Sequence, residues 1–90
     1  MHMEIEWDAA KAAANLKKHG VSFEEAATAI LDPKALAEED DSSTGEPRWL
    51  LLGMSARARL LTVVYTLRAE ERIRLISARK ATRKEASSYA

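Results

Sequence analysis

The side chains best equipped for chemistry in this 90-residue chain are its arginines, all eight of which lie at or beyond Arg48. A planar guanidinium binds two phosphate oxygens at once and keeps its charge at neutral pH. Arginines therefore suit a phosphate that gains negative charge during a reaction. Arg79 and Arg83 are four residues apart, and Lys80 and Lys84 repeat that spacing. At a helix start this places paired cations on one face, beside amide groups that add their own partial positive charge. Arg57 and Arg59 bracket a turn, and Arg72 and Arg74 share one side of a strand. Taken singly, each arginine is as well explained by solvation or ion pairing as by chemistry.

Groups able to move protons are scarcer. His19 has a reference pKa near 6.5, which suits an acid or base. Directly before Gly20 it serves equally well as a cation at a helix C-terminus. Tyr65 and Lys18 transfer protons only with shifted pKa values, and Tyr65 also reads as a core residue. Trp7 has two readings as well, stacking on a base or packing against a helix. The opening Met1-His2-Met3 reads as an expression-derived extension before a native start at Met3, so His2 is set aside and a two-histidine mechanism with it.

Several classes fall away. The chain has no cysteine, which excludes disulfide frameworks, thiolate metal sites and cysteine nucleophiles. With three glycines it carries neither a Walker loop nor a dinucleotide fingerprint, and Gly53-Met54-Ser55 is no nucleophile elbow. The apolar run from Trp49 to Gly53 is far short of a membrane span. A single cytoplasmic domain without cofactor or metal is expected.

The formal net charge of zero conceals a division. Residues 1–47 carry 11 acidic side chains against four lysines, and residues 48–90 carry ten basic side chains against three glutamates. Such asymmetry suggests either a nucleic-acid partner or mutual pairing of the halves in the fold.

The elements that must position these residues follow from periodicity and caps. Glu4–Trp7 alternates as a short strand, Asp8 stands as an N-cap, and a helix runs to His19 with Gly20 as its C-terminal stop. Ala9, Ala12, Ala13 and Leu16 form its apolar face, with Lys11, Asn15 and Lys18 on another. Ser22 and Glu25 form a capping box for a second helix, which Asp32-Pro33 ends. A short strand over 34–39 leads to the acidic stretch from Glu38 to Gly45, which reads as a solvated loop rather than a calcium site. Three segments, 48–55, 59–67 and 71–77, alternate as an antiparallel meander, and Thr82 with Glu85 caps a last helix towards Tyr89.

These residues resemble one known family. Glu6-Trp7-Asp8-Ala9-Ala10-Lys11, the run from Asn15 to Ala26, Asp32-Pro33, Glu46, Arg48, Gly53, Ser55, Arg59 and Val63–Thr66 look like the BrnT toxins of bacterial type II toxin–antitoxin systems. The run from Arg72 to Glu85, with Tyr89, resembles that family's closing segment. The resemblance implies a RelE-like α+β fold with an N-terminal strand and two helices on the meander, and a ribonuclease that cuts mRNA and inhibits translation. It also implies neutralisation by a BrnA-like antitoxin, which brings DNA binding to the complex. Metal-free RNA cleavage needs a base for the 2′-hydroxyl, cations for the phosphate and an acid for the 5′-oxygen. On this basis the catalytic candidates are Arg79, favoured by both resemblance and geometry, with Arg59, Arg83, His19 and Tyr65. Candidates for RNA contact are Trp7, Lys18, Arg57, Arg74, Lys80 and Lys84. The alternative is a non-catalytic module that binds RNA or antitoxin.

Overall fold

Each helix begins where a side chain accepts from a free amide. In the computed structural model, which describes residues 4–40, 45–69 and 71–89, β1 (Glu4–Glu6) leads into Asp8. The Asp8 carboxylate accepts from the Lys11 amide at 3.0 Å and opens α1 (Ala9–His19). Gly20, at φ 71°, closes the helix, and its amide donates to the Leu16 carbonyl. The Ser22 hydroxyl accepts from the Glu25 amide and opens α2 (Phe23–Ile30). Strands β2 (Leu36–Asp40), β3 (Arg48–Met54), β4 (Leu60–Ala69) and β5 (Arg72–Lys80) follow, then α3 (Arg83–Ala86).

The sheet order is β1-β5-β4-β3-β2, an antiparallel meander with β1 added parallel to β5. Both longer helices lie on one face. There Val21, Phe23, Ala26 and Ala29 meet Leu51, Leu61, Val63, Tyr65, Ile73, Leu75 and Ala78 in one buried cluster. The approach of α2 to β3 is close enough to need a residue without a side chain. A Cβ on Gly53 would lie 2.5 Å from the Ala29 carbonyl oxygen.

Three expectations are corrected. On α1 the inward residues are Ala12 and the 7%-exposed Asn15, while Leu16 is half exposed. The face read as apolar thus turns mostly outward, because Asn15 satisfies its amide inside the fold. The last helix spans four residues rather than reaching Tyr89. Only Thr82 and Glu85 form a complete capping box, since the Glu25 side chain is engaged elsewhere. The centre of the acidic stretch, residues 41–44, lies outside the described residues, as do Met1-His2-Met3.

A bulge in β5 sets the chemistry. Val64 pairs with Ser77 but Tyr65 pairs with Leu75, so Ile76 is an extra residue. Strict alternation from buried Ile73 and Leu75 would send Arg79 into the core. The extra residue reverses the parity: Ala78 turns inward, and Ser77 and Arg79 join Arg72 and Arg74 on the opposite face.

Candidate functional site

That opposite face is read most easily as rows across the strands. Register places Leu36, Leu52, Thr62 and Arg79 in one row and Glu38, Leu50, Val64 and Ser77 in the next. The short α3 folds back over the first row. Its Glu85 carboxylate accepts from Arg79 Nη1 at 2.8 Å and Nη2 at 2.9 Å, from the Thr62 hydroxyl at 2.9 Å and from the Thr82 amide at 2.9 Å. The two-toothed bond to Arg79 is the main reason the Glu85 carboxyl is held down to about 2. The same contact pushes the Arg79 guanidinium above its ordinary range. Glu85 therefore stays anionic and Arg79 cationic at any physiological pH. The Arg79 side chain is 38% exposed, and its Nε–H is not used by Glu85. A positioned and accessible guanidinium on an open sheet can take an anionic oxygen.

Arg74 lies on the same face and bonds Glu6 at 2.9 Å, while Arg72 reaches both Glu4 and Glu6 at 3.4 Å. These pairs arise from the parallel register of β1, which sets Glu4 beside Arg72 and Glu6 beside Arg74. The acidic half thus neutralises part of the arginine-bearing half. Among the described residues no ion pair engages Lys80, Arg83 or Lys84; Arg83 and Lys84 bring their positive charge on α3, whereas Lys80, opposite core Leu61, shares the helix-side parity of Ala78 and is not brought to the Arg79 face. The predicted pairing of Arg79 with Arg83 on one helix start is not formed. Arg79 and Lys80 end β5, Arg83 and Lys84 open α3, and the box itself uses the Thr82 and Glu85 amides.

The structure places the other candidates away from Arg79. Arg59 points to the helix side, where its guanidinium bonds the buried Glu25 through Nε at 2.8 Å and through Nη2, and also reaches the Gly20 carbonyl. The Ser55 hydroxyl donates to the same carboxylate at 2.8 Å. Arg59 first, with Ser55, brings Glu25 down to about 2 despite burial. This cluster ties α2 to the β3–β4 turn. Arg57 stands at the turn tip, 74% exposed and 3.9 Å from Glu25. Tyr65 is a core residue, 8% exposed, and burial pushes its hydroxyl pKa up. Trp7 sets its ring edge against Phe23 at 6.0 Å, which makes it part of the core wall. His19 and Lys18 close α1 on the helix-covered side.

The sequence reading named Glu85 as a cap and missed its bond to Arg79. Six residues separate the two across a strand end, a spacing with no local signature. Asp32 was read only as a helix stop. It also accepts from the Met54 amide at 2.8 Å and from the Tyr89 hydroxyl, fastening the chain after α3 to the turn that follows α2 and to the end of β3. The Tyr89 bond leads in holding the Asp32 carboxyl below its usual value, and the same bond raises Tyr89.

The fold and the face together define a small α+β protein whose five-stranded sheet presents a carboxylate-braced arginine on the side away from its two longer helices. A family profile described as the ribonuclease toxin BrnT of type II toxin–antitoxin systems matches residues 7–85, and the chain belongs to that family. The crystal structure of the Brucella abortus ribonuclease toxin BrnT is similar in fold, with a TM-score of 0.69 and 24% identity over 90% of this chain and 99% of that one. No match is found among curated proteins. Membership implies an antitoxin partner and RNA as the molecule acted on. Among the described residues no helix is long and apolar enough to cross a membrane.

Proposed function

We propose that the chain is the toxin of a type II pair, a metal-independent endoribonuclease of RelE-like kind that cuts mRNA in the cytoplasm, halts translation and is neutralised by a BrnA-like antitoxin. The observation that carries this reading is the Arg79–Glu85 pair on the open face of a chain in the ribonuclease toxin family. In the proposed reaction the 2′-hydroxyl gives its proton to solvent and attacks the adjacent phosphorus to close a 2′,3′-cyclic phosphate, while the bond from phosphorus to the 5′-oxygen breaks and that oxygen takes a proton from solvent. Arg79 stabilises the charge that grows on the phosphate oxygens, and Glu85 holds its fork in place. Arg83 and Lys84 draw the RNA backbone to the face. The whole described chain acts as one toxin domain, and DNA reaches it only through the antitoxin.

The test is incubation of the antitoxin-free protein with end-labelled mRNA in excess chelator. Discrete products ending in a cyclic phosphate are expected, with Arg79→Ala slower by about 100-fold. Arg79→Lys, which keeps the charge but loses the fork, falls well below wild type. Intact RNA with the wild-type protein, together with unaffected growth on induction, overturns the reading.

One observation favours a non-catalytic module that binds RNA or antitoxin. His19 and Tyr65, the foreseen proton carriers, both lie on the helix side of the sheet. That reading predicts salt-sensitive RNA binding without products.

A further inference from the structure

Beside Arg79 the open face carries a recess of about 190 Å³ between β2, β3 and α3. Its lining includes Leu36, Leu50 and Leu52 as an apolar floor and Thr62, Glu85 and Glu38 as polar walls. Two of these walls belong to the Arg79 cluster itself, since Thr62 pairs with Arg79 across the sheet and Glu85 bonds it. Strands lie about 4.8 Å apart, so Leu52, two strands from Arg79 in the same row, is about 10 Å away. That is within reach of one nucleotide whose phosphate rests on Arg79. The recess is smaller than the roughly 300–1,000 Å³ pockets of drug-sized ligands, and its size suits one heteroaromatic ring. Apolar side chains take the faces of such a ring while polar groups read its edge.

Glu38 supplies the reading group. Its side chain is exposed at the recess, and no hydrogen bond or ion pair engages it among the described residues. A carboxylate with no cation to satisfy accepts well from an exocyclic amine such as cytosine N4, and it repels the carbonyl oxygen that uracil carries there. We infer that this recess receives the base next to the scissile phosphate and that Glu38 selects bases bearing an exocyclic amine over uracil. The inference rests on the ribonuclease reading, and adds to it a site of sequence preference.

The experiment maps cleavage positions on a defined oligoribonucleotide set with wild type, Glu38→Gln and Leu36→Phe. Leu36 is 46% exposed on the outer strand, so the larger ring fills the recess without entering the core. The wild type is expected to favour amine-bearing bases over uracil at the position bound, by about tenfold. Glu38→Gln, which can donate as well as accept, removes that preference, and Leu36→Phe slows all cuts. A cut-site distribution unchanged in both variants overturns the inference while leaving the ribonuclease reading intact. If Leu36→Phe abolishes antitoxin capture with the distribution unchanged, the recess takes protein and the inference also falls. Should the wild type cut nothing, amide shifts on titration with the four ribonucleoside monophosphates decide separately. Shifts at Leu36, Leu52 and Thr62 with adenosine or cytidine but not uridine monophosphate uphold the recess as a base site, and their absence overturns it.

Discussion

The Asn15 side chain closes on both main-chain groups of Ala78, its Nδ2 donating to the carbonyl at 2.8 Å and its Oδ1 accepting from the amide at 3.1 Å. The same Nδ2 donates to the Val21 carbonyl at 2.9 Å. β1 pairs with β5 no further than Arg74, so Asn15 acts as the neighbouring strand for the residue just before Arg79. A helix side chain thereby fixes the strand end that carries the proposed catalytic group.

Asn15→Ala strands three buried main-chain groups and is expected to cost about 3 kcal/mol of unfolding free energy. Asn15→Asp loses the amide donors and falls at least as far. Urea denaturation measures both, and a loss below about 0.5 kcal/mol would show that water replaces the amide.

Gly53→Ala places a methyl group against the Ala29 carbonyl, 2.5 Å away, and that backbone yields only if α2 moves off the sheet. A loss of about 1–3 kcal/mol is expected. Thermal melting tests this, and an unchanged midpoint would mean that α2 shifts freely.

Ala58 sits at φ 61° in the turn between β3 and β4, where the Ala58 amide donates to the Ser55 carbonyl. A residue with a Cβ pays about 1 kcal/mol or more in this conformation. Ala58→Gly is expected to raise the melting temperature by a few degrees. A lower value would show that the unfolded chain's gain in freedom outweighs the relief.

Acid should unfold the protein through Glu25 and Glu85. Both carboxyls are lowered in the fold from 4.5 to about 2, chiefly by the arginines they bond. Depressed values mean that the unfolded chain takes up protons first. Their stabilisation is complete above the unfolded value and drains away as pH falls from about 4.5 to about 2. A denaturation series across that range, set beside Glu25→Gln, should show a shallower slope for the variant. Identical slopes would remove Glu25 from the account.

Much of this architecture was legible in the sequence because its determinants are local. Asp8, Gly20, Ser22 and Thr82 act within a few residues of themselves, and the meander's alternation follows from strand geometry. What escaped depends on distant partners. Asn15 looked like a surface residue because two of its three bonds lie 63 residues away at Ala78. The Glu25 carboxylate had a local use as a cap, yet Arg59 and Ser55 offered a stronger one from across the fold. Parallel pairing of β1 with β5 joins the two ends of the chain and leaves no mark in either segment alone. At the candidate site, the cations were visible as residue types. Their division between sheet faces was not, since an added residue in a strand has no signature in composition.

The extra residue at Ile76 also bears on how related chains should be compared. Deleting it would pair Leu75 and Ser77 with Tyr65 and Val64 in an unbroken ladder and leave the arginine at position 79 on its present face. In a relative lacking this residue, an arginine aligned with Arg79 across a one-residue gap would present itself on the same face. A relative with the same number of residues in β5 but no bulge would turn its arginine towards the helices, so pairing register, rather than the identity of the arginine, separates chains that can present this group from chains that cannot.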